Sequence, residues 1–451
     1  INSLAVISSG VATPTTATAT DVTMTSASGL SNGAITVKAF IKNSTTGNVS
    51  SLLAGTAAVK EIAAPLLTSV SIVSDNITNT AKATTGNLIS LSFTANKALG
   101  ATPVVTIAGC LPAAVLVSGA GPYTATYTML AGDTEGIIPF TIDFKDVAGN
   151  NGATVTATTA PQTSVTFDKT APTLSAISIA SNNSNSSLAK TGDKISLSFT
   201  ANESLGAAPA VTIATHAAAI TGSGAGPYTA TYTMLAGDTE GAIPFTIDYK
   251  DAAGNPGLQK TATTNLSSVT FDKTAPTFDI QYYTNSDLTT GPIADSSTIK
   301  AGTYYVKITA SKALKSAPKI AINAEGSVND VSDASTTLVS GNNYKYIRTI
   351  FTSAAAIGAV AESYTITGTD LAGNASSLAP STLTRQMKPD TVAPALNPVT
   401  ISPANVKTGD TLTLTITASE TLLAAPAVTI AGHAVVPGAA GLVFQSAEQH
   451  L

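Results

Sequence analysis

ISLSFTAN, at Ile195–Asn202, decides how this chain folds. Its apolar residues Ile195, Leu197 and Phe199 alternate with Ser196, Ser198 and Thr200. A period of two places one set on each face of a strand, so one face is buried and the other meets solvent. The same eight letters stand at Ile89–Asn96. Outward from them the duplication widens: SGAGPYTATYTMLAGDTEG occurs at Ser118–Gly136 and again at Ser223–Gly241, and SVTFDKTAPT at Ser164–Thr173 and Ser268–Thr277. PYTATYTML places Tyr228, Ala230, Tyr232 and Met234 on one face. IPFTIDYK does the same with Ile243, Phe245, Ile247 and Tyr249.

The duplication sets the domain organisation. A short phrase, D-x-A-G-N, recurs as Asp146–Asn150, Asp251–Asn255 and Asp370–Asn374, and Pro65, Pro172, Pro276 and Pro394 are 107, 104 and 118 residues apart. These marks predict whole repeats over 65–171, 172–275 and 276–393. The third is the most diverged and carries extra length around Asn323–Asn343. Residues 394–451 read as the front half of another repeat, since TGDTLTLTITASETLLAAPAVTIAGH parallels TGDKISLSFTANESLGAAPAVTIATH. Residues 1–64 read as a back half, since GAITVKAFIKNSTTGN parallels GAIPFTIDYKDAAGN. This reading treats the chain as a piece of a longer array, and leaves Val443–Leu451 unmatched. About seven short strands in roughly 100 residues fit a two-sheet immunoglobulin-like sandwich. The fold class is therefore all-β, a series of such sandwiches of about 105 residues. With no Trp and one Cys, the antibody-type Cys…Trp…Cys core is absent.

Composition narrows the function. The net charge is −5, with 22 Lys and Arg against 27 Asp and Glu and no basic stripe, which removes the electrostatic footing for nucleic-acid binding. Hydrophobic residues make up 43% of the chain but are scattered among Thr, Ser and Gly, and no run is long enough to insert in a membrane. One cysteine, Cys110, permits no internal disulfide framework. It is expected to be small, partly buried and unreactive, with no histidine in its own repeat. His216 and His433 fall at corresponding strand ends and His450 near the end of the chain. Lying in separate repeats, they converge on no shared ion. No nucleophile elbow, phosphate loop or zinc spacing is present, and no catalytic residue is expected.

Strand-rich units of about 105 residues that end in DKTAP and carry D-x-A-G-N late in each unit resemble bacterial Ig-like repeats, the stacked modules of large secreted adhesins and other bacterial surface proteins. The resemblance covers nearly the whole chain. It implies an exported, mainly structural array on the bacterial cell surface, often made rigid by calcium at the module junctions.

The carboxylates carry the chemistry. In an immunoglobulin topology the loops at one end of a sandwich meet the segment arriving from the preceding one. Glu203 in ANESLG, Asp248 and Asp251 after the sixth strand, and Asp168 from the linker should therefore gather at the second junction. Calcium takes six to eight oxygens, which carboxylates and loop carbonyls supply. Asp146, Asp272, Asp370, Asp390 and Glu420 are weaker candidates at the other junctions: at the position of Glu203 the first repeat has Lys97 and the third Lys312, while the fourth returns to Glu420. Where a lysine stands, its ammonium can neutralise the carboxylates directly. Two other readings remain open: that the D-x-A-G-N aspartate only caps its own turn, or that these are solvent-exposed charges. For the whole molecule three roles remain: a rigid spacer of a surface adhesin, a self-assembling filament or surface-layer subunit whose half-repeats complement one another, and a glycan- or protein-binding module in 276–393. The last rests on Tyr282, Tyr283, Tyr304, Tyr305, Tyr344 and Tyr346, half of which should be core by alternation. The partners expected are adjacent repeats, further copies of the chain, or a surface ligand.

Overall fold

A computed structural model describes residues 33–35, 38–39, 46, 53–54, 58–111, 114–116, 121–159, 164–323, 330–352, 361–377, 387–407, 410, 412–419, 422, 424–430, 433–435 and 443–444. No helix occurs among them; every regular element is a strand. The chain divides into two compact units, one of residues 1–180, 195–232 and 243–268, the other of residues 181–194, 233–242 and 269–451.

In the first unit, the strands Leu67–Ser74, Leu88–Ala95, Tyr123–Thr128 and Ala114–Leu116 lie side by side in that order. Taken in chain order they are the first, second, last and third of the set. That is the A-B-E-D order of an immunoglobulin sheet. Val104–Ile107 pairs with Phe140–Asp143 on the opposing layer, and Thr166–Phe167 runs parallel to Lys82–Ala83 at its edge. Alternation builds the core between the layers: Ile89, Leu91 and Phe93 meet Val105, Ile107, Phe140 and Ile142, all at most 6% exposed. Phe93 and Tyr123 stack at 5.2 Å.

The second repeat contributes to both units. The order is again Leu174–Ser181, Lys194–Ala201, Tyr228–Thr233, Ala219–Thr221, all but the end residues Ser181, Lys194 and Thr233 lying in the first unit, with His216–Ala217, Ala210–Ile213 and Phe245–Asp248 forming a second sheet there. The opening stretch behaves as its letters predict: Ile195, Leu197 and Phe199 are buried, while Ser196, Ser198 and Thr200 are half-buried. In the second unit, Leu188–Ala189 runs parallel to Thr270–Phe271, which also pairs with Gly241–Ala242.

The third repeat, in the second unit, keeps the order, with a shorter first strand and the other three longer: Phe278–Tyr283, Gly302–Ala310, Asn343–Ile350, Thr337–Ser340. Against them lies the sheet Val331–Ser335, Lys319–Asn323, Ser363–Thr369, Ala375–Ser377. Tyr282, Tyr304 and Tyr344 are buried in its core and Tyr283, Tyr305 and Tyr346 are half-buried; alternation separates Tyr282 from Tyr283 and Tyr304 from Tyr305, while Tyr346 is in phase with Tyr344 and packs against the same core. Beyond Pro394, Leu396–Ser402 pairs with Leu412–Ala418. The fold is all-β, built of immunoglobulin-like β-sandwiches.

Candidate metal centre

The D-x-A-G-N phrase folds as a turn that its own aspartate holds. Asp251 Oδ1 accepts the backbone N–H groups of Ala253, Gly254 and Asn255 at 2.8, 2.7 and 2.9 Å. Gly254 sits at φ +102°, a conformation that favours glycine, as do Gly149 and Gly373 in the other two copies. The asparagine closes the ring, its Nδ2 donating to Asp251 Oδ2 at 2.8 Å. That same Nδ2 donates to the backbone carbonyl of Asp168 at 3.0 Å, fastening the turn to the incoming linker. The arrangement recurs where Asn150 donates to the Glu61 carbonyl (2.9 Å) and Asn374 to that of Asp272 (2.9 Å). The backbone of the turn approaches Gly206 so closely that a Cβ there would lie 2.4 Å from the Asp251 carbonyl oxygen.

The linker is tied at its other side too. Lys169 Nζ donates to the carbonyls of Ala131 and Asp133, both at 2.8 Å, and Glu135 Oε1 accepts the Lys169 N–H (2.7 Å) and the Thr170 hydroxyl (2.8 Å). Lys273 repeats this on Ala236, Asp238 and Glu240. In DKTAP the lysine therefore grips the repeat behind, while the aspartate faces the repeat ahead.

At the second junction Asp168, Glu203 and Asp251 come together, with one carboxylate oxygen from each lying within 4.8 Å of the others. Asp251 is buried; Asp168 and Glu203 are half-buried. Burial raises the pKa of Glu203, and the charges of Asp168 and Asp251 raise it further. Burial likewise raises that of Asp168, with Asp251 and Glu135 adding to the effect. Both groups thus hold their protons more tightly in the folded chain than in the unfolded one. The ionisation penalty is absent below the ordinary values of about 4 and fully present above the raised ones. Without a bound cation, this joint should lose stability as pH rises through that window. Carboxyl ¹³C titration of the chelated protein should place the Glu203 midpoint above the ordinary glutamate value, and added calcium should lower it.

The neighbouring junctions solve the same problem with an ammonium. Lys312 Nζ lies 2.8 Å from Asp272 and 3.4 Å from Asp370, and also donates to the Thr274 carbonyl. Burial opposes its charge, yet the hydrogen bond and attraction to Asp272, with the charge of Asp370, leave its pKa above the usual lysine value. Lys97 bonds Glu61 and the Ala63 carbonyl and stands 3.3 Å from Asp146. The Asp146 carboxyl is held below its ordinary value, first by Asn150 and then by Lys97, despite its burial.

The remaining candidates lie apart from these clusters. Asp248 is exposed at a strand end and accepts a bond from Gln259 at 2.8 Å. Asp390 accepts the Val392 N–H at 3.1 Å, as Asp168 does that of Thr170. Glu420 and His450 lie outside the described residues, as does the His433 side chain. His216 is exposed, stacking on Tyr232 at 5.2 Å. Cys110 is exposed rather than partly buried, because it follows a two-residue turn after the strand Val104–Ile107. Sequence reasoning missed the asparagine of D-x-A-G-N, Glu61 and the tie between Lys169 and Glu135. The first and last had a signal, the repetition of both phrases. Glu61 stands four residues before Pro65, as Asp168 does before Pro172.

No protein-family model matches the chain, and no curated protein does. Among solved structures, a 1.5-MDa bacterial ice-binding adhesin is 18% identical over 71% of this chain and 95% of its own, with a TM-score of 0.34. The N-terminal eight Ig domains of Down syndrome cell adhesion molecule are 11% identical (88% of this chain, 44% of that one, TM-score 0.18). Sidekick-1 Ig domains 1–4 are 12% identical (74% and 76%, TM-score 0.21). None reaches a TM-score of 0.5, and the fold assignment rests on the strand order.

Proposed function

We propose that this chain is a non-enzymatic structural segment of a bacterial cell-surface adhesin, a spacer made of Ig-like modules over 65–171, 172–275 and 276–393 with parts of two others at 1–64 and 394–451. The observation that carries the reading is the repeated joint. Three times a D-x-A-G-N turn fastens its asparagine to a linker carbonyl, and twice a DKT lysine ties the linker back to the preceding repeat. Joints fixed on both sides suit a part whose work is to hold distance and direction. Adjacent repeats are then its chief partners, and its place is outside the cell.

Calcium belongs to this reading at the second junction. Three carboxylates there carry a formal charge of −3, whereas two carboxylates and a lysine give −1 at each neighbour. A divalent cation brings the second junction to the same −1. The lysines also show what a cation meets at this place: two carboxylates and a linker carbonyl, from Thr274 or Ala63. Thr170 is the matching carbonyl at the second junction, so Asp168, Glu203, Asp251 and Thr170 are the proposed ligands, with water completing the shell.

Electron microscopy of the purified chain tests the spacer. Short, separate particles of constant length are expected. Long fibres or sheets would overturn it in favour of a self-assembling subunit.

A further inference from the structure

A second asparagine crosses each of the two junctions in the opposite direction. Asn76 lies in the loop after the strand Leu67–Ser74, and its Nδ2 donates to the Ala253 carbonyl of the next repeat's D-x-A-G-N turn at 2.7 Å. Asn183, 107 residues further on, donates to the Ala372 carbonyl at 2.8 Å and to Asp193 at 2.7 Å. That spacing equals the distance from Pro65 to Pro172. Both loops are built for the task. The Asn76 N–H donates to Ser74 Oγ and its Oδ1 accepts the Thr78 N–H; the Asn183 N–H donates to Ser181 Oγ and its Oδ1 accepts the Asn185 N–H. Each side-chain oxygen is thereby committed to its own loop, which leaves the amide N–H₂ aimed outward. Asn76 is 6% exposed and Ala253 2%, so that bond is shielded from water; at the next junction Ala372 is 2% exposed and Asn183 half-buried.

We propose that the Ser-x-Asn loop of one repeat and the D-x-A-G-N turn of the next are complementary docking surfaces. They are joined by a reciprocal pair of asparagine-to-carbonyl bonds that sets the register between successive repeats without any metal. The partner that fits the loop is any repeat presenting a D-x-A-G-N turn: its alanine is small enough to be buried against the loop and its carbonyl accepts the amide. The turn answers with its own asparagine on the linker carbonyl. This inference deepens the spacer reading. It assigns alignment to the asparagines and leaves the cation only the neutralisation of like charge.

The test is a distance distribution between spin labels at exposed Val104 and Leu258 in the full chain, with Cys110→Ser to keep labelling specific, in chelator and in calcium. Asn76→Asp keeps the oxygen that the loop uses and replaces the donor with an oxygen facing the Ala253 carbonyl. Asn76→Ala is the second variant, should the aspartate disturb the loop. In chelator the unsubstituted chain should give one narrow distance, and either variant should raise the undocked population about tenfold, as expected for one lost buried bond. A chain that is broad in chelator and narrows only with calcium would overturn the docking while sparing the calcium reading. Unchanged widths in both variants would overturn it as well. A narrow chain indifferent to calcium, broadened by Asn76→Asp, would uphold the docking and reject the calcium.

Discussion

Glu362→Gln should destabilise the third repeat by about 3–5 kcal/mol, the cost of leaving a buried charge without its partner. Glu362 and Arg348 are 0% and 1% exposed and form an ion pair in the core, and the hydroxyls of Tyr282 and Tyr364 both donate to Glu362 Oε2 at 2.9 Å. Burial, with the neighbouring Glu362 charge, pushes both tyrosines well above their usual range, which keeps the hydroxyls as donors. Among its described residues the first repeat has no such buried ion pair. Where Glu362 donates its N–H to the Met387 carbonyl, Ile138 donates to that of Val165. Hydrogen exchange localised to Gly302–Ala310 and Asn343–Ile350 should therefore quicken in Glu362→Gln, with the first repeat unmoved. Replacing the group together (Arg348→Met, Glu362→Ile, Tyr282→Phe and Tyr364→Phe) should restore part of the loss, because no buried charge then remains, while the Met387 N–H loses the Tyr364 hydroxyl that accepts it.

Glu203→Lys should make the second junction insensitive to calcium. The substitution supplies the ammonium that Lys97 and Lys312 supply at its neighbours. At calcium one hundred times its Kd, linkage stabilises the unsubstituted joint by about 2.7 kcal/mol, and this increment should vanish in the variant. Lys312→Glu is the reciprocal change: it should weaken the third junction in chelator and make it respond to calcium. Thermal unfolding of each variant, with and without calcium, reads both effects. A calcium-induced shift that survives Glu203→Lys would place the ion elsewhere.

Most of the fold was legible because it depends on local pattern. Ile195, Leu197 and Phe199 needed only their alternation, and the number of short strands per unit pointed to an immunoglobulin-like sandwich, whose A-B-E-D order the structure then shows. The site was legible in part. Asp168, Glu203 and Asp251 were brought together by topology alone, since the linker and two loops share one end of a sandwich. Asp248 was misleading because it is three residues from Asp251 yet ends a strand, where its side chain faces outward to Gln259. Letters also concealed how one side chain serves two partners. The Asp251 carboxylate holds its turn through both oxygens and still brings one of them within 4.8 Å of the Asp168 and Glu203 carboxylates, so capping the turn does not take it out of the cluster. The buried Arg348–Glu362 pair was harder to read: Arg348 is in phase with Tyr344 and Ile350, and Glu362 with Tyr364 and Ile366, so both point to the core, but the pairing of two segments that satisfies their charges is not visible in the letters.

Equilibrium dialysis of the full chain against calcium tests the central claim most directly, that calcium completes the second junction where its described neighbours use a lysine. One ion per chain is expected, lost in Glu203→Lys and raised to two in Lys312→Glu. No bound ion, or one ion retained undiminished in Glu203→Lys, would contradict it.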